Sequence, residues 1–183
     1  MKTAIFGGTF DPVHSAHITV AREAATQFGI DQVLFVVAAN PPHKPGATHA
    51  PYEDRFRMVE LACAGDSLFV PSRLEEGHER SYSIHTIERA RPDYFIIGAD
   101  AFAEIESWYR WRDVMRMVEF IVVTRPGHTY DTPEGARVHR LDTLALPVSS
   151  TELRRQFAEG GSPAELPTPV LTYIREHHLY EAP

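Results

Sequence analysis

The sequence predicts an α/β fold: a doubly wound, mostly parallel sheet in a single domain. Short β-branched apolar runs recur along the chain and read as buried strands. Segments of helical spacing separate them, and strands alternating with helices give a parallel sheet covered on both faces. The 183 residues suit one domain with a sizeable core, and no repeat, low-complexity tract or linker divides them.

The chain opens with a short buried strand over residues 2–6. Helical spacing follows over 17–28, with Gly29 placed to end it. Residues 32–38 are a second strand, and three prolines and a glycine make 40–48 a loop. A helix over 52–64 sets Phe56, Val59 and Cys63 on one face, with Gly65 after it. A short strand covers 68–70, and a helix over 83–90 stops before Pro92. Strands over 94–97 and 120–124 enclose the aromatic segment SWYRWRDVM. Residues 138–141 make a last edge strand, and helices over 150–158 and 169–177 close the chain. Crossovers in such a sheet are right-handed, and ligands sit at the carboxyl ends of the strands. Gly7-Gly8, residues 40–44, Gly98-Ala99-Asp100 and Arg125 all follow predicted strands, so they converge on one cleft.

Composition narrows the function. The longest apolar stretch, residues 33–39, is far short of a membrane span, and the N-terminus makes a poor signal peptide. Cys63 is the only cysteine, which excludes a disulfide framework or a thiolate zinc cluster and suggests a cytoplasmic location. A net charge of −7 argues against general nucleic-acid binding but allows a small anionic substrate held by local cations.

Three segments carry chemistry. In GGTFDPVHSAH, Gly7 and Gly8 allow close backbone approach to a ligand. Neither a P-loop nor a G-x-G-x-x-G pattern is present. His14 and His17 share a face at a helix start, where free amides and the dipole favour an anion. A metal site is the alternative; it needs a third ligand such as His43, beside which Lys44 would repel a cation, and plain capping is the other. In NPPHKPG, the prolines stiffen a loop that presents Lys44 to a phosphate, or else form an exposed turn with a solvated lysine. In VSSTELRR, Ser149-x-x-Glu152 fits a capping box. Ser149, Ser150 and Thr151, with Arg154 one turn on, could instead hold a phosphate.

Together these pieces resemble the H-x-G-H nucleotidyltransferases, a superfamily with a Rossmann-like fold: GGTFDPVHSAH resembles the first motif and SSTELRR the last. The ordered set NPPHKP, SYSIHTI, IIGADAF, SWYRW, VVTRPG and VLTYIREHHLY resembles the bacterial nicotinate-nucleotide adenylyltransferases over nearly the whole chain. Ala16 stands at the signature's glycine, which would turn a methyl toward ATP, and Ser83 and His85 replace a threonine and an aspartate.

The resemblance implies transfer of the adenylyl group of ATP to nicotinate mononucleotide, with Mg2+ held through the ATP phosphates rather than by protein ligands. It implies that His14, His17, Lys44 and Arg154 are catalytic. On the ATP side they are joined by Gly7, Gly8, Thr9, Phe10, Gly98, Asp100, Ser149, Ser150 and Thr151. Nicotinate mononucleotide would meet Thr9, Asn40, His43, Lys44, Ser83, Trp108, Tyr109 and Arg125. Trp108 would stack on the pyridine; on residue type alone, Trp108 and Trp111 read equally as core. No nucleic-acid or membrane partner is implied, and the oligomeric state is open, with a homodimer as one option. The rival readings are a same-fold transferase for another phosphate acceptor and a metal-dependent hydrolase built on His14, His17 and His43.

Overall fold

A computed structural model describes residues 1–40 and 48–183. Its strands are β1 (Thr3–Gly8), β2 (Gln32–Val37), β3 (Phe69–Ser72), β4 (Tyr94–Gly98), β5 (Glu119–Thr124) and β6 (Val138–Asp142). Its helices are α1 (Ser15–Phe28), α2 (Tyr52–Cys63), α3 (Ser83–Ala90), α4 (Ala99–Ala103), α5 (Trp111–Met117), α6 (Ser150–Ala158) and α7 (Thr168–Glu176). The strands form one sheet in the order β3-β2-β1-β4-β5-β6, and every neighbouring pair is parallel. The order reverses between β1 and β4, which opens a crevice at their carboxyl ends. The stretch between β4 and β5, which holds the aromatic segment, folds as α4, a 3-10 turn over Ile105–Ser107, and α5. These pieces are too short to show a repeating apolar period.

Strand pleating sends alternate side chains to opposite faces and so builds two cores. Ala4 and Phe6 face a core shared with α1, α2, α6 and α7, through residues such as Val20, Val59, Leu153 and Val170. Ile5, Phe95 and Phe120 face a second core with Ile87, Phe102 and Val114 of α3, α4 and α5. Helix α1 buries mostly alanines, which lets it lie close to the sheet. It ends where Gly29, at φ 65°, donates its N–H to the Ala25 carbonyl, a left-handed cap that favours glycine.

Arg55 stands on the same stripe of α2 as Val59 and is only 1% exposed. Its Nε donates to the Ala50 carbonyl at 3.1 Å, and one terminal nitrogen donates to Thr9 at 2.8 Å and to Ala38 at 2.7 Å. One side chain thereby ties the exits of β1 and β2 to the start of α2. Arg55→Met would leave these three carbonyls, one buried and two part-buried, without their donor, and should lower unfolding free energy by about 3 kcal/mol. Urea denaturation tests this; a loss below about 1 kcal/mol would show the carbonyls find other partners.

Candidate active site

The chain leaving β1 builds the centre of the site. A Cβ on Gly8 would come within 3.1 Å of the Phe10 ring, so a side chain there would crowd the internal packing. Phe10 itself is buried, at φ 49°, with its ring edge-on to Phe6 at 5.9 Å and to His17 at 5.0 Å. It can therefore offer a ligand its backbone but not its ring. At Gly7 an added Cβ would make only ordinary contact with Phe95, at 3.7 Å. Ala16 is 6% exposed, so its methyl packs into the protein.

Asp11, next in the chain, was not singled out from the sequence, yet it organises the region. It is 3% exposed. Its carboxylate accepts the His49 N–H at 2.7 Å, the Ala50 N–H at 3.1 Å and the Tyr180 hydroxyl at 2.7 Å. Its carbonyl accepts from Arg154 at 2.8 Å.

His14 is the N-cap residue of α1, and its backbone N–H donates to His17 Nδ1 at 3.1 Å. The two rings stack with centroids 3.7 Å apart. Burial lowers the His14 pKa to about 4. His17 is also pushed well below the ordinary imidazole range, by burial and then by the neighbouring His14. Both rings are therefore neutral near pH 7. Because His17 Nδ1 accepts, its proton sits on Nε2, and the ring presents an Nε2–H donor. His14 Nδ1 is buried with no partner among the described residues.

Helix α6 meets the same loop. Ser150 Oγ donates to the Pro12 carbonyl at 2.8 Å, alongside the Arg154–Asp11 bond. The second terminal nitrogen of Arg154 reaches Thr151 Oγ1 at 3.3 Å. Ser149 Oγ caps the helix by accepting the Glu152 N–H at 3.2 Å. The return half of the expected capping box is replaced by an ion pair, because Glu152 takes Arg155 at 2.6 and 2.9 Å. The N-termini of α1 and α6 thus converge on residues 11–14, with hydroxyls and a half-buried arginine around them.

Beyond β4 and β5 lies a cleft of about 400 Å³ whose lining includes Gly98, Asp100, Thr124, Arg125, His128 and Leu146. Gly98 has open space where a Cβ would go. Thr124 is 1% exposed, and its hydroxyl has no partner among the described residues. Arg125, expected beside the acceptor, lines this cleft with Gly98 and Asp100.

On the other side of β1, Asn40 donates its N–H to Ser81 Oγ at 3.0 Å and its amide nitrogen to the His78 carbonyl at 2.9 Å. Buried Glu75 supports the same loop by accepting the Thr86 hydroxyl at 2.8 Å, and burial raises its pKa. Ser83 opens α3. Trp108 is half-buried, edge-on to Phe95 at 5.8 Å. Tyr109 is exposed and lies 4.8 Å from the Tyr82 ring. His43 and Lys44 lie outside the described residues. Among the described residues no group of three or more His, Cys, Asp or Glu is placed to hold a metal ion.

A probable nicotinate-nucleotide adenylyltransferase from Solibacter usitatus is 60% identical to this chain, over 98% of it and 100% of that protein. The chain belongs to the nicotinate-nucleotide adenylyltransferase family. A member from Pelobacter propionicus is 39% identical over 98% of each chain. The broader cytidylyltransferase-like family model matches residues 5–156, which span the histidine pair and Arg154. The fold also matches that of Plasmodium falciparum nicotinic acid mononucleotide adenylyltransferase complexed with NaAD, with a TM-score of 0.79 at 20% identity over 98% of each chain. As a nicotinate-nucleotide adenylyltransferase the chain is a nucleotidyltransferase, and the metal-hydrolase reading of its histidines falls away. No helix among the described residues is long and apolar enough to cross a membrane.

The neutral His14 gives a stability prediction. Its folded pKa, about 4, lies below the unfolded value near 6.5. Its contribution is therefore complete above pH 6.5 and is lost as pH falls toward 4. Between pH 7.5 and 4.5 this one group should cost roughly 2–3 kcal/mol. Urea denaturation at both pH values should show a pH dependence smaller by that amount in His14→Gln, and equal dependences would place the cause elsewhere.

Proposed function

We propose that this site transfers the adenylyl group of ATP to the phosphate of nicotinate mononucleotide, giving nicotinate adenine dinucleotide and pyrophosphate for NAD biosynthesis. The observation that carries this assignment of residues is the convergence of two helix N-termini and two neutral imidazoles on residues 11–14, at the switch point of the sheet. The nucleophile is already an anion, so no general base is required. Catalysis then consists of bringing two anions together and stabilising the charge that develops. His17 Nε2–H donates to the α-phosphoryl group, with His14 holding the neighbouring phosphate. Amides of Ser149, Ser150 and Thr151, with the Ser149 and Thr151 hydroxyls, meet the leaving phosphates, and Arg154 neutralises them. The backbone of residues 7–10 passes beneath the nucleotide, and Gly98 and Asp100 meet its nucleoside part.

Mg2+ carried by the triphosphate would supply further charge neutralisation. On the acceptor side, Trp108 stacks on the pyridine, Ser83 and backbone amides near Tyr109 meet its carboxylate, and Asn40 and Thr9 line the approach. His43 and Lys44 are assigned to the acceptor, and Lys44 also to the reacting phosphates, through the motif they belong to. Arg125 is assigned to the acceptor, reaching it from the cleft it shares with Gly98 and Asp100. The enzyme is assigned to the cytoplasm, in keeping with a lone, buried cysteine.

Pyrophosphate release from ATP, with nicotinate mononucleotide, nicotinamide mononucleotide, phosphopantetheine and a polyol phosphate tried in turn, tests the assignment. Nicotinate mononucleotide should lead nicotinamide mononucleotide by about 100-fold in kcat/KM, since the amide forfeits charge-assisted bonds of roughly 1.5–3 kcal/mol each. His17→Ala should lower kcat by about 100-fold or more. Trp108→Ala should raise the acceptor KM far more than the ATP KM. Equal use of the two pyridine nucleotides, or wild-type turnover in folded His17→Ala, would overturn the corresponding assignment.

Metal analysis gives a separate check. The purified protein should carry no stoichiometric zinc, and activity should disappear with EDTA and return with added Mg2+. One tightly held zinc per chain would contradict a cation borne by the nucleotide.

A further inference from the structure

We propose that Tyr180, near the C-terminus, is a positioning residue for the catalytic loop, latching onto Asp11 and so fixing the segment that carries His14 and His17. The inference deepens the site assignment above and rests on residues 11–17 being the phosphate site.

The path of the chain after α7 is the first observation. His178 and Tyr180 both adopt left-handed backbone, at φ 52° and 65°. That conformation costs a non-glycine residue roughly 1 kcal/mol and persists where surrounding contacts hold it. The Leu179 N–H donates to the Ile174 carbonyl at 3.0 Å, which fixes the first bend. These bends bring the Tyr180 ring beside Phe157 of α6, with centroids 6.1 Å apart.

The second observation is where the phenol ends. Its hydroxyl donates to Asp11 Oδ1 at 2.7 Å, across 169 residues of sequence. Two backbone amides alone, from His49 and Ala50, would leave this buried carboxylate short of donors. Tyr180 supplies the third. Burial and the Asp11 charge push the phenol well above its ordinary pKa, so it stays a donor throughout the working pH range. Asp11 passes the constraint on through its carbonyl to Arg154, and along the chain to His14 three residues later. The hydrogen bond of the Tyr180 hydroxyl among the described residues is the one to Asp11, so the effect of removing that hydroxyl travels through Asp11.

Tyr180→Phe in the full chain removes only the hydroxyl. In pyrophosphate-release assays with nicotinate mononucleotide, well below the melting temperature, kcat should fall about 10-fold while both KM values stay within about twofold. Amide hydrogen exchange at His49 and Ala50 should quicken by a similar factor. Ile174→Val loosens α7 without touching Asp11, and should lower stability while leaving kcat and those two amides unchanged. Wild-type kcat in Tyr180→Phe, or equal losses of kcat in both variants, overturns the latch. A wild-type protein that is inactive with every acceptor overturns the proposed function instead. In that case unchanged exchange at His49 and Ala50 in Tyr180→Phe still overturns the latch.

Discussion

The geometry of this site depends on satisfying one buried carboxylate. An ionised aspartate out of water costs several kcal/mol unless donors surround it. Asp11 meets that demand by drawing three distant parts of the chain to one point: the segment before α2, the C-terminal residues and, through its carbonyl, α6. Arg55, buried close by, repeats the device with opposite charge, using its guanidinium to hold the exits of β1 and β2. Neither residue occupies the place assigned to substrate. Together they make the loop between β1 and α1 a fixed surface, and such preorganisation keeps transition-state contacts from being lost to loop motion.

The sheet explains why the loop belongs where it is. β1 is central, paired with β2 on one side and β4 on the other, and the chain leaves β1 toward one face and β4 toward the opposite face. The divergence opens the crevice without any special sequence at its floor. What is special is the packing immediately above it, where the Phe10 ring fills the space beside Gly8 and edges against His17. The two glycines that read in sequence as a cradle for a ligand therefore have different explanations. Gly8 makes room for a phenylalanine, whereas nothing in the protein itself demands glycine at Gly7.

The doubly wound sheet and most of its elements were legible in the sequence, because buried parallel strands read as short continuous apolar runs and amphipathic helices have a strong period. The elements missed, α4 and α5, are five and seven residues long and carry no usable period. In the site, His14, His17 and the serines of α6 were legible because each lies within a short motif. Asp11 and Tyr180 lie inside quoted motifs, GGTFDPVHSAH and VLTYIREHHLY, yet nothing in either motif shows that the two meet, and Glu75 lies in none; their partners are 11 to 169 residues away, and pair contacts at such range leave no local pattern. Arg55 did leave a trace: it stands four residues before Val59, on the stripe that reads as core. A charge on an apolar stripe must find buried partners, and that signal could have marked it.

Neutral histidines suit this site better than lysines would. The chain carries a net charge of −7, and beyond roughly 10 Å at 0.1 M salt its surface charges are largely screened, so only local groups decide whether an anion binds. Permanent cations packed together before substrate arrives would repel each other in a buried place. Imidazoles held neutral by burial avoid that cost and still offer N–H donors. Their donor strength can rise as negative charge approaches, because an adjacent anion favours the protonated ring. The stacking of His14 on His17 sets a limit on this response, since a charge on one ring opposes a charge on the other. The pair therefore does not hold two protons readily, and in the proposed reaction the remaining neutralisation falls to Arg154 and to a cation carried by the triphosphate.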